Sequence, residues 1–241
     1  MRQPLGQHFL IKGKILERIA RAACGERAAL VVEIGPGRGA LTERLLQHAD
    51  RVVAIELDSS LAAYLRERWP ELEVVEGNAL DVDLSQWGEG VLAGNLPYYA
   101  ATPIISNYAR KPGRLRQAVF LIQKEVAERI TAKPGTREYG YLSVECQLFT
   151  KPEYLFSVPP GAFQPPPKVD SAVIRLTPRT EIAVADPEAF LKFVSDCFRQ
   201  KRKMLRNNVP GVPEEYGARR AEQLSLEEFV DLFSRSSPLR T

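Results

Sequence analysis

Long apolar runs are missing from this 241-residue sequence. No stretch approaches ~18 uninterrupted apolar residues, which excludes a membrane-spanning helix. The first residues, Met1 to Gln7, also lack the apolar core of a signal peptide. Cysteine is scarce. Cys24, Cys146 and Cys197 are odd in number and widely spaced, which argues against a disulfide framework or a zinc site and for reduced thiols in the cytoplasm. Histidine occurs only at positions 8 and 48, so no histidine-rich metal site is expected. A large excess of one charge is absent too: 33 Lys and Arg against 30 Asp and Glu leave +3. Any nucleic-acid partner must therefore be met by a local patch. What remains is ordinary globular material, 44% hydrophobic and 26% charged, enough for one large domain or a core with a small appendage.

Short β-rich runs alternate with amphipathic stretches from residue 15 to about 123. Residues 30–34, 51–56, 73–76, 90–93 and 118–122 read as strands, and Leu41, Leu45 and Leu46 repeat at helical spacing after the first of them. The charged segment Lys124 to Ala132 reads as a helix. This order predicts a parallel, doubly wound α/β sheet with ligands at the carboxyl ends of its strands. Tyr141 to Phe149 and Tyr154 to Val158 are expected as further strands. Val169 to Leu176 alternates like an edge strand after the proline clusters at 159–160 and 165–167. Beyond Pro187 the character is helical, and a domain boundary is expected near residue 180, giving domains 1–180 and 181–241.

Gly35-Pro36-Gly37-Arg38-Gly39-Ala40 sits at a strand-to-helix turn, where missing Cβ atoms let a ligand approach the backbone. Glu56 ends the next strand, 21 residues beyond Gly35, in position to accept from a ribose hydroxyl pair. These features suit NAD and S-adenosylmethionine alike. Glu33, two residues before the first glycine, tilts the choice, because a phosphate-binding loop has no evident use for its negative charge. It is expected near the cationic amino-acid end of the cofactor, and Asn78 near the adenine amine.

Asn95-Leu96-Pro97-Tyr98 follows the fourth strand. An Asn oxygen and the Pro97 carbonyl can together accept the hydrogens of an exocyclic amine, Pro97 stiffens the turn, and Tyr98 offers a face for a nucleobase. Phe163, crowded by Pro165–Pro167, is expected as the second wall of that stack. No Ser/His/Asp or Cys/His constellation is evident, so positioning is expected to matter more than a general base. Residues 190–206 read as one helix with Phe190, Phe193, Val194, Cys197, Phe198 and Leu205 on one side and Arg199, Arg202, Lys203 and Arg206 opposite. The basic side is a candidate RNA-phosphate surface.

Taken together, 5–10, 33–42, 95–98 and Phe163 to Ser171 resemble the ribosomal RNA adenine N6,N6-dimethyltransferases of the KsgA type, and Phe198 to Asn208 is similar to that family's C-terminal motif. The resemblance covers nearly the whole chain. It implies a Rossmann-like class I methyltransferase sheet with a small helical C-terminal domain, S-adenosylmethionine as donor, and two adjacent adenosines in the 3′-terminal hairpin of 16S rRNA as substrate. The implied setting is a cytoplasmic monomer acting on the immature 30S subunit, with no membrane contact. Carried over, the cofactor contacts fall on His8, Leu10, Gly35, Glu56, Asn78 and Asn95, with Glu33, Gly37, Gly39, Leu57 and Ala79 completing the set. His8 stands where many members have Asn, Asn78 where Asp is usual, and Arg38 where the loop is typically apolar. The alternatives are an enzyme acting on large-subunit rRNA, a DNA adenine methyltransferase, an NAD-dependent reductase, and a ribosome-assembly factor with secondary catalysis.

Overall fold

The computed structural model describes residues 8–236. Its elements run β1 (Phe9–Leu10), α1 (Gly13–Cys24), β2 (Ala28–Ile34), α2 (Thr42–His48), β3 (Ala49–Glu56), α3 (Ser59–Arg68), β4 (Glu73–Glu76), β5 (Gly90–Asn95), α4 (Ala101–Arg110) and β6 (Leu115–Gln123). Then come α5 (Lys124–Thr131), α6 (Tyr141–Phe149), β7 (Thr150–Val158), β8 (Phe163–Gln164), β9 (Ser171–Pro178), α7 (Pro187–Phe198), α8 (Glu214–Gly217) and α9 (Leu226–Ser236). Two compact units result. One holds the residues up to Ala127 together with Glu153–Pro178, the other Glu128–Pro152 and the residues from Arg179 onward.

In the first unit β2, β3, β5 and β6 are apolar runs buried on both faces, as strands covered by helices must be. The seven-stranded sheet has the order β4-β3-β2-β5-β6-β9-β7. Strands β2 to β6 pair in parallel, as their alternation with helices predicts, whereas β9 pairs antiparallel to β6, so the sheet as a whole is mixed. β9 is also an inner strand and not the edge: the prolines at 165–167 precede it and remove no ladder donor from it. The chain leaves β2 on one side for β3 and returns on the other as β5. This reversal opens a crevice at the carboxyl ends of β2 and β5. A separate two-stranded sheet, β1 with β8, registers Phe9 against Gln164 and Leu10 against Phe163.

The second unit is helical. Tyr141 to Phe149 forms α6 where a strand is expected. Nearly every residue of it is buried, and it packs with α7 and α9, which is why Glu128–Pro152 groups with this unit as well as the segment after residue 178. Phe190 meets Phe233 edge-on at 5.5 Å, and Phe198 meets Phe229 at 5.7 Å. A capping box starts α9: Ser225 Oγ accepts the Glu228 N–H at 3.3 Å while Glu228 accepts the Ser225 N–H at 2.8 Å. The expected single helix over 190–206 ends at Phe198. Leu205 N–H donates to the Arg219 carbonyl and Met204 bridges Arg220, which draws the chain out of the helical path. Asn208 Nδ2 caps the freed Cys197 carbonyl at 2.8 Å. All three cysteines are free and buried. Among the described residues, no helix is long and apolar enough to cross a membrane.

Candidate active site

A cavity of about 790 Å³ opens at the crevice, and every residue lining it belongs to the first unit. Its floor is the glycine loop after β2. Gly37 and Gly39 both take left-handed φ, 59° and 78°. A Cβ on Gly39 would lie 2.3 Å from Trp69 Cζ3, which leaves no room for a side chain, and one on Gly37 would sit tightly, 3.1 Å from Phe9 Cε1, on a backbone that L side chains rarely adopt. Gly35 N–H donates to the Ile55 carbonyl at 3.0 Å and ties the loop to β3.

Glu56, 4% exposed, braces this loop from the end of β3. Its Oε2 accepts the Gly37 N–H and its Oε1 the Asp58 N–H, each at 3.0 Å. Both oxygens keep a second lone pair, so the carboxylate can still receive a hydroxyl pair from the cavity. Asp58 Oδ1 in turn caps α3 by accepting from Ser60 and Leu61, which holds its carboxyl below the ordinary range.

Glu33 lies beneath the loop. It is 1% exposed, accepts the Thr42 hydroxyl at 2.6 Å, and burial pushes its pKa up to about 8. The Thr42 bond works against that rise and the neighbouring Glu56 adds to it. Burial thus favours its protonated form, and Glu33 also lines the cavity. Asn78 also makes local bonds: its Nδ2 donates to Asp81 Oδ2 at 3.1 Å and its Oδ1 accepts the Leu80 N–H at 3.2 Å. Asn78, Ala79 and the exposed Leu57 all line the cavity. Arg38 is exposed, with its guanidinium 5.1 Å from the centroid of the Phe9 ring.

Asn95 is held from the side opposite its task. Its Nδ2 donates to the His8 carbonyl at 3.2 Å, which leaves Oδ1 as the free end of the amide. Leu96 is buried and its N–H donates to the Leu121 carbonyl at 3.0 Å, so it anchors the turn to β6. The Pro97 carbonyl accepts the Ala100 N–H at 2.9 Å and retains one lone pair. Tyr98 is half-buried, with its hydroxyl 2.8 Å from Ser171 Oγ and its ring centroid 5.6 Å from that of His8. Burial raises its pKa, an effect the Ser171 bond partly offsets, so it stays a neutral phenol.

Phe163 does not form the second wall. It is 3% exposed and packs in the core, because neighbours on a strand point to opposite faces and β8 turns Phe163 inward. His8 and Pro165 line the cavity instead, joined by a 2.8 Å bond from His8 Nδ1 to the Pro165 carbonyl. Leu10 lines the cavity; Leu5, Gly6 and Gln7 of the same motif lie outside the described residues. Thr42, Asp81 and Ser171 have no expected role from sequence. Thr42 and Ser171 end the two quoted motifs 33–42 and 163–171, and that position is the signal available for them.

In the second unit Arg199, Arg202, Lys203 and Arg206 are all exposed, though on a helix end and the turns after it and not along one helical face. Arg199 pairs with Asp196 at 2.5 Å. Lys201 is held by Glu222, 3.7 Å away.

The family model for ribosomal RNA adenine dimethylase matches residues 1–235. Ribosomal RNA small subunit methyltransferase A of Acidobacterium capsulatum is 44% identical, over 95% of this chain and 89% of its own. Among solved structures, a dimethyladenosine transferase from Plasmodium falciparum superposes with a TM-score of 0.81 at 27% identity, covering 95% of this chain and 98% of its own. The 23S rRNA methyltransferase ErmE superposes with a TM-score of 0.77 at 28% identity, covering 94% and 98%.

Proposed function

The chain belongs to the ribosomal RNA adenine dimethylase family, and from that membership we propose its substrate and the roles of its residues. It is an S-adenosylmethionine-dependent rRNA adenine methyltransferase. Its substrate is 16S rRNA in the immature small ribosomal subunit, and it methylates N6 of two adjacent adenosines in the 3′-terminal hairpin, each twice. It works as a cytoplasmic monomer.

The cavity suits the donor on its own chemistry. The loop has no room for a side chain at Gly39 and little at Gly37, Glu56 keeps acceptor capacity, and Leu57, Asn78 and Ala79 border the same space. These residues, with His8, Leu10 and Gly35, hold the cofactor. When bound, S-adenosylmethionine supplies a sulfonium methyl that is already activated toward nucleophiles.

The observation that carries the mechanism is the bond from Asn95 Nδ2 to the His8 carbonyl. With Nδ2 turned to that carbonyl, Oδ1 is the end of the Asn95 amide left to accept from an amine. N6 of adenine is a poor nucleophile because its lone pair is delocalised into the ring. Asn95 Oδ1 and the remaining lone pair of the Pro97 carbonyl each accept one N6–H and favour a more tetrahedral nitrogen. Tyr98 stacks on the base, which must leave its RNA stack to enter. No proton acceptor is required before attack, since positioning supplies the rate. Transfer would form N6–CH3 and break the donor's S–CH3 bond, and the methylated N6 would then release one proton to solvent, so a single N6–H remains and the second transfer proceeds with one of these acceptors unfilled. In the second unit, Arg202, Lys203 and Arg206 contact RNA phosphates.

The test is transfer of labelled methyl groups to unmethylated small subunits, followed by mapping of the modified nucleotides. Label on two neighbouring 16S adenosines is expected. The likeness to ErmE makes large-subunit rRNA the rival substrate, and label confined to 23S rRNA or to DNA overturns the reading.

A further inference from the structure

We infer that Ser171 is a positioning residue: its hydroxyl fixes the place of the Tyr98 ring on which the target adenine lies. The inference rests on reading Tyr98 as the stacking surface. Ser171 opens β9, is fully buried, and its Oγ lies 2.8 Å from the Tyr98 hydroxyl. Among the described residues this is the only side-chain bond of either hydroxyl.

The two ends of that bond differ in rigidity. Ser171 sits on an inner strand, paired with Gln123 of β6, and next to it the Asp170 carbonyl accepts the Lys124 N–H at 3.0 Å. Tyr98 stands on a turn closed by the Pro97–Ala100 bond and is half-buried. A tyrosine ring on a turn is free to swing about χ1, and stacking is worth little unless that swing is stopped before the base arrives, which a bond at the far end of the ring does. The other ring beside Tyr98, that of His8, lies 5.6 Å away and is tilted by 33°, so it restrains the ring by contact alone. The Ser171 hydroxyl is thus the one directional tether from the sheet to the stacking ring. It carries strand rigidity across a gap of 73 residues in sequence.

A mutant cycle on the tether tests this. Tyr98→Phe, Ser171→Ala, the double variant and Tyr98→Ala are compared with the parent for kcat and KM on unmethylated small subunits. The dissociation constant for S-adenosylmethionine and the thermal midpoint are measured alongside. Tyr98→Phe and Ser171→Ala are each expected to lower kcat about five- to tenfold, the worth of one hydrogen bond, with cofactor affinity unchanged. The double variant is expected to be no slower than either single, because all three lack the same bond. If the double equals the product of the singles, Ser171 acts elsewhere and the inference fails. Parental kcat in Tyr98→Phe also overturns it, and that arm holds even if Ser171→Ala unfolds. In both cases a severe loss in Tyr98→Ala leaves the stacking reading standing. Normal turnover by Tyr98→Ala would remove the stacking reading itself.

Discussion

The side-chain amide of Asn95 donates to the main-chain carbonyl of His8 at 3.2 Å, across 87 residues of sequence. That bond orients the amide, so a substitution can fail in two ways. Asn95→Ala removes the acceptor and is expected to lower kcat by roughly 10²–10³, the cost of losing one preorganised polar contact in a transition state. Asn95→Asp keeps an acceptor but sets a carboxylate oxygen against the His8 carbonyl, and it is expected to fall as far. Single-turnover methyl transfer, with subunit binding measured separately, checks both.

Glu33 makes stability fall with pH. The folded chain holds its proton up to about pH 8, whereas the ordinary value for the side chain is 4.5. Its stabilising contribution is complete below pH 4.5, declines through that window, and is gone above pH 8. The slope reaches about 1.4 kcal/mol per pH unit at most. Glu33→Gln keeps a neutral acceptor for Thr42 and removes the titration. Urea unfolding of the cofactor-free protein should therefore show variant and parent closest near pH 5 and the variant relatively more stable at pH 8. Parallel curves would refute it.

Asn78 is matched to Asp81. The amide donates to Asp81 Oδ2 at 3.1 Å, and an Asp in its place would face that carboxylate with like charge. Asn78→Asp is expected to weaken S-adenosylmethionine binding roughly three- to fivefold, the scale of an exposed charge pair. Adding Asp81→Asn should restore it. Titration calorimetry on the two variants reads the effect, and an unimproved double variant would break the match.

Charge in the second unit should act through salt. Arg202 and Lys203 are exposed, whereas Arg199 is engaged by Asp196. Arg202→Ala and Lys203→Ala are each expected to lower the slope of log K against log salt for small-subunit binding by roughly 0.7–0.9. Arg199→Ala should change it less. Filter binding between low and physiological salt measures the slopes.

Much of this fold is legible in the sequence. The runs at 30–34, 51–56, 73–76, 90–93 and 118–122 all lie inside β2 to β6: β2, β3, β5 and β6 are buried on both faces and must be apolar, and the edge strand β4 keeps its two valines half-buried. Tyr141–Phe149 misleads for the same reason. An apolar run this short reads alike as strand or buried helix, and only the surfaces of α7 and α9 decide. The helix past Phe198 misleads differently: the basic spacing persists, but Leu205 finds a backbone partner at Arg219, a contact no local pattern contains. In the site, the acceptor geometry of Asn95 and the loop glycines follow from residue type. Protonation of Glu33 and burial of Phe163 do not, since both depend on what surrounds them.

The pairing of β1 with β8 also sets a date for the pocket. Its walls include His8 to Ile11 and, more than 150 residues later, Gln164 and Pro165, closed by the bond from His8 to the Pro165 carbonyl. A chain still being synthesised can carry the glycine loop and Asn95–Tyr98 long before it owns a closed pocket. Closure of the pocket by that bond therefore waits until translation has passed residue 165. Until then the wall that His8 and Pro165 make together is missing from the nascent chain.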